Sequence, residues 1–274
     1  MKPNHKLLNL PKSILAIDTS THHLSISLFS DDVIYQTCHQ VEKHANAIID
    51  SIDHLCRRAD IKLHTVDTIV VNHGPGSFTG LRVGLATAQA LAHANQQSIV
   101  MISNCALHAY QYACTQTDIK IGDQIAIMLD AKLSQVYFAV YELDEHRLPA
   151  IIVPETVIHP EAVDILNENK NTFKYGSGWQ VYEKKNSKSR DDDQNTPATE
   201  AAIIGDKTIE YSKINNHRDK LAMSSILIDY VLTLASKQKL SRKHVSECKP
   251  NYLRHHVADT IEERARKKKT DSKG

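Results

Sequence analysis

The 274-residue chain has few cysteines, and its charges nearly balance. The five cysteines, Cys38, Cys56, Cys105, Cys114 and Cys248, form no CxxC pair and are too sparse for a disulfide framework in a chain of this length. They indicate reduced thiols and a cytoplasmic protein. The 33 lysines and arginines against 32 acidic residues give no global electrostatic reason to expect nucleic acid. Any contact with nucleic acid is therefore expected to be local or supplied by a partner.

Long apolar runs are also missing. Polar residues and a proline interrupt the N-terminal apolar stretch, which suits neither a signal peptide nor a membrane span. Nothing elsewhere approaches about 18 uninterrupted apolar residues, so no membrane contact is expected. The sixteen histidines are scattered, and the adjacent pairs His22/His23 and His255/His256 would point apart on a strand. These pairs therefore predict no metal site.

The first half of the chain shows a regular succession of strand and helix patterns. Three strands are predicted from ILAIDTS (14–20), LSISLFS (24–30) and DVIYQTCHQV. Residues 43–59 carry apolar side chains at helical spacing and predict an amphipathic helix. The buried-strand run DTIVVN leads into a glycine-rich helix at 78–94, and SIVMIS and NCALHAYQYACTQ predict a further strand and helix. The predicted order is β-β-β-α-β-α.

The opening strand pattern recurs 112 positions later, where Asp130 takes the place of Asp18. In each copy a hydrophobic strand ends at the aspartate, polar residues form a turn, and an alternating strand follows. This repeat predicts two related lobes, an N-terminal lobe at 1–115 and a C-terminal lobe at 116–258.

Three segments of the second half have distinct patterns. Residues 223–236 predict a helix. Residues 183–200 are polar enough to predict a mobile surface insertion, and residues 259–274 predict a basic, disordered tail.

Four of the nine glycines, Gly74, Gly76, Gly80 and Gly84, fall within eleven positions ahead of an alanine-rich run. The segment is not a P-loop, because Leu81 follows Gly80 where GxxxxGK[ST] requires lysine. The spacing GxGxxxG also departs from the dinucleotide-binding pattern GxGxxG. Neither nucleotide motif explains the glycines.

One remaining explanation is an anion site at the start of the helix. Gly74 and Gly76 permit a tight turn, and Ser77 or Thr79 can cap the helix that follows. Backbone amides left uncapped there are able to bind an anion such as phosphate.

The other explanation is close helix packing. Gly80, Gly84 and Ala88 recur every four residues and make a smooth ridge that another helix backbone can approach. We interpret the ridge as a surface for another protein, and packing inside its own domain is the alternative. The helix at 43–59 is the expected neighbour in either case.

Five sequence blocks, in this order and at these intervals, resemble the bacterial TsaB family, also called YeaZ. They are ILAIDTSTHHLSISLF, NHGPGSFTGLRVGLATAQALA, AIMLDAKLSQVYFAVYE, GSGW and PNYLRHHVA, and they span roughly residues 13–258. The resemblance implies an α/β protein with a duplicated ribonuclease-H-like (actin-like ATPase, ASKHA) fold and two related lobes.

The resemblance also implies a role in making N6-threonylcarbamoyladenosine beside the anticodon of tRNAs that read codons beginning with adenine. In that family's system a synthase makes threonylcarbamoyl-adenylate, and the paralogue TsaD transfers the threonylcarbamoyl group to the adenosine. TsaB pairs with TsaD, and the ATPase TsaE joins them. The implied partners are therefore TsaD, TsaE and, through the complex, tRNA, with a homodimer expected for the chain alone. No cofactor of its own is expected, and ATP or ADP with Mg²⁺ is a candidate at the level of the complex.

The family's catalytic paralogue differs from this chain at its metal ligands. TsaD holds its metal with an HxxxH pair after the strand that follows the glycine helix, and here Asn104 and His108 fall on those positions. Asparagine is a poor replacement for imidazole at a transition-metal site, so no metal site and no catalysis by this chain alone are predicted. The sequence also lacks HExxH and a nucleophile with a recognisable base, which disfavours glycoprotease activity.

The resemblance to actin-like ATPases implies candidate nucleotide or phosphate residues. Asp18 falls where such ATPases place a hairpin acid near magnesium and phosphate, but Ala131 and Lys132 replace the neighbouring hydroxyls in the second copy. An acid that accepts turn amides is the alternative interpretation of Asp18. The candidate nucleotide or phosphate residues are Asp18, Thr19, Ser20, Gly74, Gly76 and Ser77.

The predicted function is a non-catalytic scaffold subunit whose helices at 43–59 and 78–94 dock on TsaD. An independent actin-like ATPase or kinase is the alternative. The predicted interface residues are His44, Ile48, Ser51, Leu55, Thr79, Gly80, Arg82, Gly84, Leu85 and Ala88.

Overall fold

The computed structural model describes residues 10–163, 171–180, 207–210 and 222–253. The strands are β1 (Ser13–Asp18), β2 (His23–Ser30), β3 (Val33–Gln40), β4 (Thr68–Asn72), β5 (Ser98–Ile102), β6 (Gln124–Asp130), β7 (Val136–Leu143), β8 (Pro149–Ile158), β9 (Thr172–Tyr175) and β10 (Lys207–Glu210). The α-helices are α1 (His44–Arg58), α2 (Phe78–Asn95), α3 (Asn104–Thr115) and α4 (Met223–Ser236). Within these ranges, no helix combines the length and apolar character that crossing a bilayer requires.

The first sheet has the strand order β10-β3-β2-β1-β4-β5. Strands β1, β2 and β3 form an antiparallel meander, and β4 and β5 run parallel to β1. Tight turns join the antiparallel strands, whereas parallel neighbours require long crossovers. Helix α1 provides the crossover before β4, and α2 provides the crossover from β4 to β5.

Both faces of the first sheet are covered by helices. Ile14 and Ala16 of β1 pack in a cluster with residues of α3 and α4, while Leu15 and Ile17 pack on the opposite face with α1 and α2. Successive side chains of a strand point to opposite faces, so every residue of β1 is buried. This burial explains why β1 and β4 are apolar runs without alternation.

The second sheet repeats the plan of the first. Its order is β8-β7-β6-β9, with β6, β7 and β8 antiparallel and β9 parallel to β6. The first sheet has the same arrangement in β3-β2-β1-β4, and Asp130 ends β6 as Asp18 ends β1. The protein therefore has the predicted duplicated ribonuclease-H-like, actin-like fold.

Helix α3 lies between the two sheets and contributes to both cores. Cys105 and Ala109 pack against β6 and β7, while Leu107 and Tyr110 pack in the cluster that contains α4. The Tyr110 hydroxyl donates to the buried carboxylate of Asp229 on α4 at 2.9 Å. One helix therefore connects the packing of the two halves.

The predicted lobes, 1–115 and 116–258, need one correction. Strand β10 pairs with β3, and α4, which matches the predicted helix, packs on β1, β2 and β4. Both elements thus belong with the first sheet although they follow the second sheet in sequence. Strand pairing between distant residues leaves no local sequence pattern, which is why the prediction missed this return. The predicted insertion at 183–200 and tail at 259–274 lie outside the described residues.

A buried hydroxyl network fixes the start of α4 on the first sheet. Ser27 Oγ on β2 lies 2.7 Å from the Oγ atoms of both Ser224 and Ser225. The backbone amide of Ser224 donates to Ser25 Oγ at 3.2 Å, and Ser225 Oγ donates to the Gln36 side chain. Side chains of β2 and β3 thereby satisfy groups at the start of α4, whose own N-cap residue is an alanine.

The substitution Ser27→Ala is expected to lower the free energy of unfolding by about 1–2 kcal/mol, because two buried hydroxyls lose a shared partner. Urea unfolding followed by circular dichroism measures this loss. The control Ser241→Ala, at an exposed position, is expected to change stability by less than about 0.5 kcal/mol. Equal stability of the two variants would contradict a structural role for the network.

Candidate functional site

The glycine-rich segment lies at the carboxyl ends of two adjacent parallel strands. Strand β1 ends at Asp18, and β4, its parallel neighbour, ends at Asn72. This edge of an open α/β sheet is where ligands commonly bind. The side chains and loops that meet here therefore form the candidate site.

The buried carboxylate of Asp18 is bonded within the chain. Its Oδ1 accepts the backbone amide of Ser20 at 2.8 Å, and its Oδ2 accepts Asn72 Nδ2 at 3.2 Å. In the second copy Asp130 Oδ1 accepts the backbone amide of Lys132 at 2.7 Å. The same turn in both halves favours the interpretation of Asp18 as an acid that accepts turn amides.

Two asparagines hold the first part of the glycine loop. Gly74 has φ +105°, a conformation that L side chains rarely adopt, and its amide donates to Asn72 Oδ1 at 3.0 Å. The Gly74–Pro75 peptide bond is cis. Asn104 Nδ2 donates to the Pro75 carbonyl at 2.9 Å, and Asn72 Nδ2 donates to Asn104 Oδ1 at 3.0 Å. The amide side chains thus fix the loop from β4 and from α3.

The other glycines let the loop and α2 touch the turn after β1. A Cβ atom at Gly76 would lie 2.5 Å from the Ser20 carbonyl oxygen. A Cβ atom at Gly80 would overlap the Thr19 carbonyl oxygen, and one at Gly84 would overlap the Thr19 hydroxyl. The missing side chains therefore permit a close contact inside the chain.

This contact uses groups that a phosphate would need. The Ser77 amide donates to the Ser20 carbonyl at 2.7 Å, and Ser77 Oγ caps α2 by accepting the Gly80 amide at 3.2 Å. The Thr19 hydroxyl donates to the Gly80 carbonyl at 2.8 Å. The six residues predicted for nucleotide or phosphate do meet, but loop and turn contact each other directly. The Ser77 amide and the Thr19 hydroxyl, two groups able to bind a phosphate, are therefore already paired within the chain.

The predicted docking ridge faces into the chain. Gly80 and Gly84 pack against Thr19. Ala88 is buried in the core cluster in which α1 and α2 pack on the first sheet. Internal packing already covers these three residues, which favours the alternative that the ridge packs inside its own domain. Four further residues predicted at the interface are also buried in the chain: Ile48, Ser51, Leu55 and Leu85.

A different face of the same helices is open to solvent. Of the predicted interface residues, Thr79 and Arg82 are exposed, and His44 is half-buried with Nε2 3.2 Å from the His23 carbonyl oxygen. Helices α1 and α2 pack on the same side of the first sheet, so their solvent sides point the same way. We define the α1–α2 outer face by its apolar residues, Ala45, Ile49, Val83, Ala86 and Ala90, and by Thr79 and Arg82.

Sequence reasoning predicted Thr79 and Arg82 at the interface but missed the apolar residues of this outer face, although a signal for them was present. Ile49 is 54% exposed on an otherwise amphipathic helix, and Ala86 and Ala90 repeat every four residues on α2. Small residues occur on both sides of α2, so spacing alone did not show which side faces the sheet.

Asn104 and His108 occupy the two histidine positions of the HxxxH pattern on α3. The surroundings of the two side chains differ. Asn104 is buried, and its side chain donates to the Pro75 carbonyl in the glycine loop. His108 Nδ1 has no hydrogen-bond partner among the described residues, and burial lowers the pKa of this imidazole to about 4. Within the described ranges, no group of three or more His, Cys, Asp or Glu side chains is placed to hold a metal ion.

A second polar cluster, missed from the sequence, ties β8 to the glycine loop. The Glu155 carboxylate accepts from Ser103 Oγ, from Asn251 Nδ2 and, at 2.8 Å, from the Tyr141 hydroxyl. Burial and the Glu155 charge raise the pKa of Tyr141, so its hydroxyl remains a donor. The Asn251 amide donates to the His73 carbonyl at 2.8 Å. Asn251 thereby joins the second sheet to the first, a role that its place in PNYLR did not show.

Similar proteins identify the family. The family model described as "TsaD: tRNA N6-adenosine threonylcarbamoyltransferase" matches residues 38–261. The tRNA threonylcarbamoyladenosine biosynthesis protein TsaB of Haemophilus influenzae is 27% identical over 255 residues, which cover 89% of this chain and 94% of that protein. The chain belongs to this family and to its TsaB (YeaZ) branch.

A further relative and a solved structure are also similar to this TsaB-family chain. The Escherichia coli protein of the same name is 27% identical over 178 residues, covering 62% of this chain and 73% of that protein. The structure of YeaZ from Pseudomonas aeruginosa superposes with a TM-score of 0.66 at 22% identity, covering 88% of this chain and all of that one. The structural likeness shows a common fold.

The substitution Gly84→Ala is expected to lower the free energy of unfolding by about 1–3 kcal/mol, because the new methyl group overlaps the Thr19 hydroxyl. Thr19→Ala removes that hydroxyl, so the double variant should recover much of the loss. Urea unfolding of the four proteins gives the coupling energy, expected to be about 1 kcal/mol or more. Additive effects of the two substitutions would contradict the contact.

Protonation of His108 is expected to destabilise the fold, because its folded pKa of about 4 lies below the unfolded value. Its contribution to stability is complete above about pH 6.5 and falls as the pH decreases toward 4, by up to about 3 kcal/mol. Urea unfolding of the wild type and of His108→Gln at pH 7, 6, 5 and 4 measures the difference. The advantage of the wild type should shrink with acidification, and a constant difference would contradict the assignment.

Proposed function

We propose that this chain is a non-catalytic scaffold subunit of the cytoplasmic system that makes N6-threonylcarbamoyladenosine in tRNA. The relatives named TsaB support a role in that biosynthesis, since one of them matches over nearly its whole length. The observation that supports a non-catalytic role is Asn104. It stands where the catalytic paralogue's pattern has its first histidine, and its side chain bonds to Asn72 and Pro75.

TsaD is the proposed partner, and the α1–α2 outer face is the proposed contact. Exposed apolar residues on two adjacent helices are typical of a helix-to-helix interface. A paralogue of the same fold offers two corresponding helices, so each protein can bury the apolar face of the other. A second copy of this chain offers the same helices, so a homodimer is expected when TsaD is absent. TsaE and tRNA are then reached through TsaD.

The arrangement at Asp18 does not favour an independent ATPase or kinase. The Asp18 carboxylate accepts bonds from Ser20 and Asn72, and the Ser77 amide donates to Ser20. Each of these groups already has a hydrogen-bond partner within the chain. ATP or ADP with Mg²⁺ is therefore proposed to act at the level of the complex.

The substitution Ile49→Asp is expected to weaken binding to TsaD at least tenfold, because docking would bury an unpaired charge. Titration calorimetry with purified TsaD measures this affinity. Ile151→Asp on β8 is the matched control, because Ile151 has the same 54% exposure as Ile49 but lies in the second sheet. The control is expected to bind TsaD as the wild type does.

The same variants should be compared in a mixture of TsaD, TsaE, synthase, threonine, bicarbonate, ATP and tRNA. Modification of the tRNA should require the wild-type chain, survive Ile151→Asp and fall with Ile49→Asp. Full modification without the chain would contradict the scaffold role. Magnesium-dependent ATP hydrolysis by the chain alone, abolished by Asp18→Ala, would support the ATPase alternative instead.

A further inference from the structure

Arg82, at the rim of the α1–α2 outer face, is held by two aromatic residues. Its Nε donates to the Tyr252 hydroxyl at 2.7 Å, and its guanidinium carbon lies 3.9 Å from the centre of the Phe78 ring. The two rings are 5.1 Å apart, and each residue is 37% exposed. Stacking and hydrogen bonding fix the plane of the guanidinium. Its Nη1 and Nη2 have no partner among the described residues.

The segment that carries Tyr252 is itself fastened to the glycine loop and to α2. The Asn251 amide donates to the His73 carbonyl at 2.8 Å. Farther back, Gln89 Nε2 on α2 donates to the carbonyl oxygens of Val245 and Cys248, each at 3.1 Å. The Tyr252 hydroxyl therefore presents a fixed acceptor to Arg82, and the guanidinium is oriented before any partner arrives.

The charges on the exposed side of α1 favour a protein carboxylate over nucleic acid as the ligand of Arg82. The exposed side of α1 carries Asp50 and Asp53, and Asp53 is paired with Arg57 at 2.8 Å. The rest of the α1–α2 outer face is mainly apolar. A surface that binds a nucleic-acid backbone needs several uncompensated cations. One oriented guanidinium beside apolar residues suits a single carboxylate on an apolar protein surface.

We propose that Arg82 binds a carboxylate side chain of the partner subunit through Nη1 and Nη2. This inference rests on the proposed function and adds the chemical group that the partner contributes. Two parallel N–H···O bonds to a carboxylate fix the register of docking as well as adding affinity. Tyr252 and Phe78 are positioning residues, which reduce the side-chain entropy that Arg82 loses on binding.

The test compares Arg82→Met, Arg82→Lys and Tyr252→Phe in titrations with purified TsaD across a series of salt concentrations. Arg82→Met keeps the apolar stem and is expected to weaken binding about 10- to 100-fold and to reduce its salt dependence. Arg82→Lys keeps the charge without the fork, so its loss should be smaller. Tyr252→Phe should weaken binding about threefold while the salt dependence persists, because the charge remains. Unchanged unfolding midpoints show that each variant is folded.

Two outcomes would overturn this inference. If Arg82→Met binds TsaD like the wild type while Ile49→Asp does not, the carboxylate contact is wrong and the proposed function stands. If Arg82→Met impairs tRNA binding by the assembled complex but not TsaD affinity, the ligand is a phosphate. Unchanged affinity in both Arg82→Met and Ile49→Asp would instead remove the α1–α2 outer face as the interface.

Discussion

The rest of the structure depends on the direct contact between the turn after β1 and the glycine-rich start of α2. The Thr19 hydroxyl and the Ser20 carbonyl bond to Gly80 and Ser77, and the missing side chains at Gly80 and Gly84 make this approach sterically allowed. The contact fixes the rotation of α2 about its own axis. It thereby decides which residues enter the core and which form the α1–α2 outer face.

The two halves of the duplicated fold share backbone conformations at corresponding turns, although the side chains there differ. Gly176 follows β9 with φ +113°, as Gly74 follows β4 with φ +105°. The aspartate that ends the first strand accepts a turn amide in each copy. In the second copy, however, Asp130 also bonds to the Lys132 ammonium at 2.8 Å, whereas Asp18 bonds to an amide side chain. The turn geometry thus persists in both copies although the side-chain partner of the aspartate differs.

Much of the fold could be read from the sequence because it is encoded locally. The apolar runs of β1 and β4, the helical spacing of α1 and the repeat that aligns Asp130 with Asp18 all correspond to observed elements. The sequence also allowed the six loop and turn residues to be predicted as one group, because two parallel strands end at the same sheet edge. It could not show that β10 and α4 return to the first sheet.

The candidate site marks the limit of what the sequence determined by itself. Spacing identified a small-residue ridge at Gly80, Gly84 and Ala88. Helix α2 has small residues on more than one side, however, and the ridge was equally compatible with a partner or with the chain's own core. Only the tertiary structure decided between them, because Thr19 lies 61 positions before Gly80 and its approach has no local signature. The same holds for Arg82 and Tyr252, 170 positions apart, whose hydrogen bond exists because the fold brings the two segments together.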